Sequence, residues 1–180
     1  MTARFSIVAI ALGALVGCAT NQAPDVAGKI RDSMKQAGLN DVTVSQDRTK
    51  GVVTLGGNVP QDADKARAEQ IATPLAAGQV VADEIAVLPK GNESAAKGVD
   101  ADLDKGIEAN LDAAFKQANM KGIRHNTKNG VVTLKGQLNT MDLRDNAEHV
   151  AAGVPNVRQV VNEIDVKNQR ATSSSADRSR

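Results

Sequence analysis

The sequence predicts an α+β protein built from two copies of one small unit, each with the element order α-β-β-α-β. The first observation is an internal repeat: the pentapeptide Gly-Val-Val-Thr-Leu at 51–55 recurs at 130–134, an offset of 79 residues. Upstream of this motif the matched residues lie 81 apart, as Ile30 and Leu111 do. The second observation is that the hydrophobic period changes in the same order in both copies. A repeat of this length indicates duplication of a folding unit, and a turn between two strands can absorb the two-residue difference.

Each copy begins with a helix. Asp25 and Asp104 precede or begin these two helices, where a carboxylate can cap or electrostatically favour the amino end. Apolar residues then step by four, four and three, which places each set on one helical face. The two sets are Val26, Ile30, Met34 and Ala37, and Ile107, Leu111, Phe115 and Ala118.

Two strands, a second helix and a third strand complete each copy. Strands at 42–44 and 52–55, matched by 123–125 and 131–134, should pair as hairpins, and Asn129-Gly130 suits a tight turn because both residues tolerate positive φ. The second helices are expected at 62–75 and 142–154, the latter with Leu143, Ala147, Val150 and Val154 on its apolar face. The closing strands place Val81, Ile85 and Val87, and Val160, Ile164 and Val166, on one face at even spacing.

Each copy should therefore form a three-stranded sheet with two helices on one face. Such a unit has a small core, and duplication is one way to cover an open face or edge. We refer to the copies as module 1, at 25–88, and module 2, at 103–168. Between them, 89–102 has little periodicity and is expected as a linker, although its alanines could extend the first helix of module 2. The Ser-rich segment 169–180 is expected to be a disordered tail.

The amino end indicates export and acylation. Residues 1–17 read as a secretory signal, because the uncharged run at 5–16 is shorter than the roughly 20 residues that a membrane-spanning helix needs. Leu15-Val16-Gly17-Cys18 resembles the lipobox of bacterial lipoproteins, in which the cysteine thiol receives a diacylglyceryl group before the signal is cleaved. The alternative is a cysteine that stands at the end of an ordinary signal by chance. The resemblance implies a covalent lipid on Cys18 and a tether at 18–24, and Ala19 after the cysteine favours the outer membrane.

Composition excludes several classes of ligand. Loss of residues 1–17 would remove Arg4 from the 22 basic residues and leave 21 basic against 21 acidic ones. A chain without a basic excess has no general electrostatic attraction to nucleic acid. Phe115 is the single aromatic residue after the signal, so aromatic platforms for bases or sugars are absent. Cys18 is the only cysteine, which excludes an intramolecular disulfide and a thiolate metal cluster.

The sequence offers little for catalysis. His125 and His149 are both expected at the surface, and no G-x-S-x-G or phosphate-loop motif occurs. Gly57 and Gly136 end predicted strands and should serve the turn into the second helix. Asn162 has inward parity and should satisfy nearby backbone groups. We therefore expect no enzyme activity, no metal site and no cofactor beyond the covalent lipid on Cys18.

The repeated motif resembles the BON domain, a bacterial envelope module with this element order, in which Val-x-Leu-x-Gly ends the second strand. It stands here at 53–57 and 132–136, and module 2 continues close to the family pattern with Gly153-Val154 and Val160-Val161-Asn162. Module 1 departs at Pro74-Leu75, so its second helix is expected to end differently. A lipobox followed by two BON domains resembles the outer-membrane lipid-binding lipoproteins of Gram-negative bacteria that support envelope integrity under stress.

The resemblance implies phospholipid contact near the first helix of module 2. Around the carboxyl end of that helix stand Lys116, Lys121, Arg124 and Lys128. Each basic residue near an anionic surface can contribute about 1 kcal/mol, but cations at a helix end also favour the helix dipole. Acidic residues on the earlier turns oppose an attraction to anions: Asp104, Glu108 and Asp112.

Two functional hypotheses follow. The first is a noncatalytic outer-membrane lipoprotein that faces the periplasm, binds anionic phospholipid and supports envelope integrity. The second is a protein-interaction or chaperone-like adaptor that uses the lipid only as a tether and grips an outer-membrane partner, such as an assembly protein. Neither hypothesis involves nucleic acid.

Overall fold

The computed structural model describes residues 22–167. The predicted signal peptide, Cys18, the first part of the tether and the predicted tail at 169–180 lie outside the described residues. Within them, module 1 contains α1 (Ala27–Gln36), β1 (Val42–Asp47), β2 (Val52–Val59), α2 (Asp62–Leu75), β3 (Val80–Asp83) and β4 (Ala86–Val87). Module 2 contains α3 (Glu93–Gln117), β5 (Ile123–Lys128), β6 (Val131–Leu138), α4 (Met141–Ala152), β7 (Gln159–Asn162) and β8 (Asp165–Val166).

The predicted architecture of two tandem α+β modules is confirmed. In module 1 the central strand β2 pairs antiparallel with β1 on one side. On its other side β2 pairs parallel with β3 and then with β4. The third strand is thus broken into two segments, and module 2 repeats this arrangement with β5, β6, β7 and β8. By position each sheet has the predicted three strands, and by segment it has four.

Both helices of each module pack on the same face of its sheet. The periodic residues of the first helices are buried there, as Ile30 and Leu111 show at 0% exposure. In module 1 they meet alanines of α2, Ala68 and Ala72, and the matching contact in module 2 uses Ala147 and Ala151. Small residues on the second helix let it approach the sheet closely beside the first.

The hairpin turns explain why the repeat offset changes from 81 to 79. In module 1 four residues separate β1 from β2, whereas in module 2 only Asn129 and Gly130 separate β5 from β6. Asn129 and Gly130 have φ of 50° and 78°, as a tight primed turn requires. The longer turn is closed by Asp47, whose Oδ1 accepts from the amides of Thr49 and Lys50.

The segment expected as a linker is helical from Glu93 onward. The structure therefore differs from the prediction of an aperiodic 89–102, since the alanines do extend the first helix of module 2 to 25 residues. Asp104 consequently lies inside α3 and does not begin it. Its carboxylate accepts from the amides of Asn129 and Gly130 at 2.8 and 2.9 Å, so it ties the hairpin turn to the helix.

Asp25 does not cap α1 either. The first turn of α1 is satisfied by Gln46 on β1, whose Oε1 accepts from the amides of Val26 and Ala27 at 3.1 and 3.3 Å. A side chain distant in sequence replaces the local cap that the sequence suggests. At the other end of module 1, α2 ends at Leu75, two residues later than the position matching Ala152 of α4, as the Pro74-Leu75 departure suggested.

The two modules bury part of the sheet faces that carry no helices, where β3 and β7 meet. Four matched aliphatic residues form one cluster between the modules: Val52, Ala82, Val131 and Val161. Each is at most 5% exposed. Gln159 bridges the adjacent edge strands, because its Oε1 accepts from the Asp83 amide and its Nε2 donates to the Val81 carbonyl at 3.2 and 2.7 Å.

One pair of polar contacts between the modules is reciprocal. Lys50 Nζ donates to the Glu163 carbonyl at 3.2 Å, and Asn129 Nδ2 donates to the Glu84 carbonyl at 2.7 Å. Lys50 matches Asn129 and Glu84 matches Glu163 at the offset of 79. Reciprocal contacts of this kind are the mark of an isologous, two-fold interface, here formed within one chain.

Gly57 and Gly136 lie within the long central strands and not at the turn that was expected. Gly57 faces Val42 across the hairpin, with φ of 88°. A Cβ there would overlap the carbonyl oxygen of Asp41, and one at Gly136 would overlap that of Gly122. These glycines are structural, because only glycine allows the first strand to start this close to the central one.

We expect Gly136→Ala to destabilise the protein by about 2 kcal/mol or more, because both the positive φ and the backbone overlap oppose a side chain. Gly98→Ala provides the matched control. Gly98 lies in α3 with nothing near its Cβ position, so this change should stabilise by about 0.5–1 kcal/mol. Denaturant unfolding of both variants measures the two effects, and equal stabilities would contradict this account of Gly136.

Candidate functional site

The structure does not bring the four predicted lipid-binding cations onto one surface. Lys116 is exposed on the last turn of α3, and Lys121 stands just beyond it. Arg124 and Lys128 lie on the helix-free face of β5, toward module 1. Lys128 pairs there with Glu84 at 3.2 Å. Because side chains alternate along β5, Arg124 and Lys128 lie on the face away from the end of α3. Of the four predicted cations, Lys121 lies beside a groove at this helix end.

Lys121 lines a groove at one end of module 2. The groove holds about 400 Å³ and lies where α3 ends, β6 ends and α4 begins. We call it the module 2 corner. Its charged lining residues are Lys121 and Lys167, and its apolar ones include Met120, Leu138 and Leu143. The corner thus combines two ammonium groups with an apolar wall.

Module 1 has the same groove with the opposite charge. The module 1 corner holds about 410 Å³ and is lined by three acidic residues and one lysine: Asp41, Asp64, Glu93 and Lys90. Its lining is therefore net negative by two, against two positive charges at the module 2 corner. Among the corner positions, Lys121 stands where module 1 has Asn40, and Lys167 stands where it has Leu88.

The start of α4 exposes two large apolar side chains. Met141 and Leu143 are 41% and 40% exposed, and they occupy the positions of Asp62 and Asp64 in module 1. Acidic residues in the first turn of a helix interact favourably with the helix dipole. The two apolar residues lack this stabilisation. Leu143 was expected on the core face of this helix, but Ala147 and Ala151 fill that face. Met141, Leu143 and Lys167 were not among the predicted site residues. Aligning the two copies in the sequence would have shown that they stand where module 1 has Asp62, Asp64 and Leu88.

The acidic residues nearest to the corner do not line it. Asp142 lies between the two exposed apolar residues, and Asp145 follows one turn later, both exposed. The N-cap of α4 is Thr140, whose hydroxyl accepts from the Leu143 amide at 3.3 Å. This capping contact holds the first turn of α4 in place beside the groove.

The two histidines have different surroundings. His149 is exposed, as expected. His125 is not at the surface: its side chain is 12% exposed, its Nε2 lies 3.0 Å from Asp112 Oδ1, and its ring packs on Phe115 with centroids 5.9 Å apart. No group of three or more potential metal ligands occurs among the described residues.

A buried lysine and a half-buried arginine take matched structural positions. Lys65 Nζ donates to the Ile85 carbonyl at 2.7 Å and lies 3.7 Å from Asp83 Oδ1. Its counterpart Arg144 donates to the Asn162 carbonyl at 3.1 Å. Each cation binds the backbone where the third strand is broken. Asn162 also acts on the backbone as expected, since its Nδ2 donates to the Arg144 carbonyl.

Burial lowers the pKa of Lys65, and the nearby Asp83 carboxylate partly opposes this change. The Lys65 ammonium group is engaged by groups of its own module, the Asp83 carboxylate and the Ile85 carbonyl.

Comparison with known proteins places these features in a family context. The BON domain matches residues 22–89 and 100–168. A solved structure of the C-terminal domain of CdsD, described as the structural protein of the type III secretion system of Chlamydia trachomatis, is 12% identical with a TM-score of 0.33. The match covers 79% of this chain and 66% of that one. A second CdsD structure from the same organism is 14% identical with a TM-score of 0.35, covering 80% and 93%. No curated protein matches the sequence.

We expect Lys65→Met to destabilise the protein by about 1–3 kcal/mol at neutral pH, because methionine leaves the buried Ile85 carbonyl without its donor. The pKa of Lys65 is lower in the folded protein than in the unfolded chain, so between these two pKa values the unfolded chain binds more protons than the folded protein does. The stability contributed by the wild-type lysine should therefore increase toward pH 10.5. Denaturant unfolding at several pH values checks this, with the exposed Lys97→Met as control. A wild-type advantage that does not grow with pH would contradict it.

Proposed function

Because the chain belongs to the BON domain family, we propose that it is a noncatalytic outer-membrane lipoprotein that binds anionic phospholipid through module 2 and supports envelope integrity. BON domains are known as phospholipid-binding modules of periplasmic or membrane-associated proteins. No helix among residues 22–167 is long and apolar enough to cross a membrane. Attachment would instead come from acylation of Cys18, which the lipobox resemblance implies.

The observation that supports module 2 as the binding unit is its divergence from module 1 at the corner. The module 1 corner is lined by Asp41, Asp64 and Glu93, whereas the module 2 corner is lined by Lys121, Lys167 and Leu143. Met141 is exposed on the adjacent first turn of α4. Exposed apolar side chains beside cations suit the boundary between phosphate headgroups and acyl chains. Nothing in the packing of module 2 requires these residues, since its core is complete without them.

The expected affinity of the corner alone is modest. Two lysines near an anionic surface contribute about 1 kcal/mol each, and burial of apolar area adds about 25 cal/mol per Å². Stable residence at a membrane needs more than one acyl chain or a second signal. The lipid on Cys18 would hold the protein at the membrane, and the corner would make its binding selective for anionic headgroups.

We expect Lys121→Gln combined with Lys167→Gln to weaken binding of the unacylated chain beginning at Thr20 to anionic vesicles. The loss should approach about thirtyfold at low salt, since two contributions of about 1 kcal/mol are removed, and it should shrink as salt screens the charges. Vesicle co-sedimentation measures it. Lys97→Gln with Lys105→Gln removes the same charge from exposed positions on the first half of α3 and should leave binding nearly unchanged.

A second variant tests the two exposed apolar residues at the start of α4, of which Leu143 lines the corner and Met141 lies beside it. Met141→Asp with Leu143→Asp gives α4 the residues that module 1 carries at the start of α2, so the variant should fold. It should lose affinity for anionic vesicles as well. Equal losses in the corner variants and the α3 control would mean that net charge alone drives binding. No binding by the unacylated wild-type chain, with a protein partner retained in cell-envelope pull-downs, would favour the adaptor hypothesis instead.

We expect Cys18→Ala to abolish acylation and to release the protein from the outer-membrane fraction. The reason is that the thiol of Cys18 is the acceptor in the lipobox that Leu15-Val16-Gly17-Cys18 resembles. Metabolic labelling with a fatty acid, followed by membrane fractionation, measures both effects. Equal labelling of wild type and variant would contradict the assignment of Cys18.

A further inference from the structure

The N-terminal residues of the described chain are docked at the hairpin end of module 1. The Ala23 amide donates to the Arg48 carbonyl, and Arg48 Nε donates to the Ala23 carbonyl, both at 2.8 Å. The Pro24 carbonyl accepts from Gln46 Nε2 and Gln79 Nε2 at 2.6 and 3.1 Å. The end of the predicted tether is therefore attached to the turn between β1 and β2.

The packing of the modules sets this hairpin end beside the module 2 corner. Lys50, in the same turn, pairs with Asp165 Oδ1 at 2.6 Å. Thr49 and Met141 line one cavity of about 280 Å³. A second cavity, of about 750 Å³, is lined by Asp47 of the turn together with Gln137, which also lines the module 2 corner.

The module 1 corner lies at the opposite end of the molecule. It is formed by residues that precede β1 and follow β2, whereas the docked segment contacts the far end of these strands. Six residues of β1 separate the two ends, a distance of about 20 Å. Because the hairpin end of module 1 lies beside the basic corner, the acidic corner at the far end of the same strands lies at the opposite end of the molecule.

We propose that the hairpin end of module 1 and the module 2 corner form one membrane-facing end, which the tether on Cys18 holds against an anionic phospholipid bilayer. This inference rests on the proposed function. Four residues of extended chain, from Cys18 to Gln22, span at most about 14 Å. An anchor this short brings the hairpin end, and with it the neighbouring corner, to the lipid surface.

The charges at the membrane-facing end favour an anionic surface. Lys121 and Lys167 line the corner, and among the described residues neither has an ion pair within 4 Å. Lys50 is already paired with Asp165. The opposing carboxylate of Asp47 is engaged with the turn amides, and Asp142 is exposed at the start of α4. In the reversed orientation the net negative module 1 corner would face the bilayer and be repelled by it.

Lysine footprinting of the tethered protein tests this orientation without any substitution. The chain beginning at Cys18 is coupled through its thiol to a maleimide lipid in phosphatidylglycerol-containing vesicles, and the rate at which an amine-reactive reagent modifies each lysine is measured by mass spectrometry. The uncoupled chain provides the reference. Lys121 and Lys167 should be protected several-fold, whereas Lys97 and Lys105 on α3 should react as they do in the uncoupled chain.

The outcomes separate this inference from the proposed function. Protection of Lys97 and Lys105, or no difference between the two lysine pairs, would overturn the orientation even if the free chain binds anionic vesicles. Protection of Lys121 and Lys167 supports it. If that protection occurs while the unacylated chain shows no affinity for anionic vesicles, the orientation stands as an effect of the tether and the packing, and the proposed lipid binding fails.

Discussion

The burial of the β3 and β7 sides of the two helix-free sheet faces against each other is the contact on which the rest of the structure depends. A module of about 60 residues covers only one face of its sheet with helices, and a domain this small has little core to spare. The cluster of Val52, Ala82, Val131 and Val161 covers part of the other face. Duplication thus supplies each module with a partner of the right shape, and the two-fold relation follows from the equality of the copies.

The broken third strand makes this contact specific as well as apolar. At each break, backbone carbonyls are bound from both sides. Lys65 and Arg144 donate from within their own modules, and Asn129 and Lys50 donate from the opposite one. Buried carbonyls need such partners, so the break sets the register in which the modules meet. A continuous strand would leave these carbonyls in a different position.

The same symmetry creates the condition for divergence. A two-fold interface constrains the matched positions at its centre, and those have stayed small or aliphatic. The corners lie away from it, at opposite ends of the molecule, and there the copies differ in sign. Met141 and Leu143 stand where module 1 has Asp62 and Asp64, and acidic residues would suit the first turn of a helix better, so local helix stability does not explain the apolar pair. A surface that meets lipid at one end and water at the other would explain both corners together.

The sequence by itself determined the local structure: the repeat, the hairpin turns and the helix periods are written in residues near one another, and the structure confirms the architecture that they predict. It also contained the divergence at 62–64 and 141–143, visible once the copies are aligned. Only the tertiary structure decided the rest. Asp104 proved to bind a turn 25 residues away, and α3 absorbed most of the expected linker. Strand alternation divided Arg124 and Lys128 from Lys121. The physical reason is that these outcomes depend on packing between elements and between modules. Such packing brings together residues that are far apart in the sequence and follow no periodic pattern.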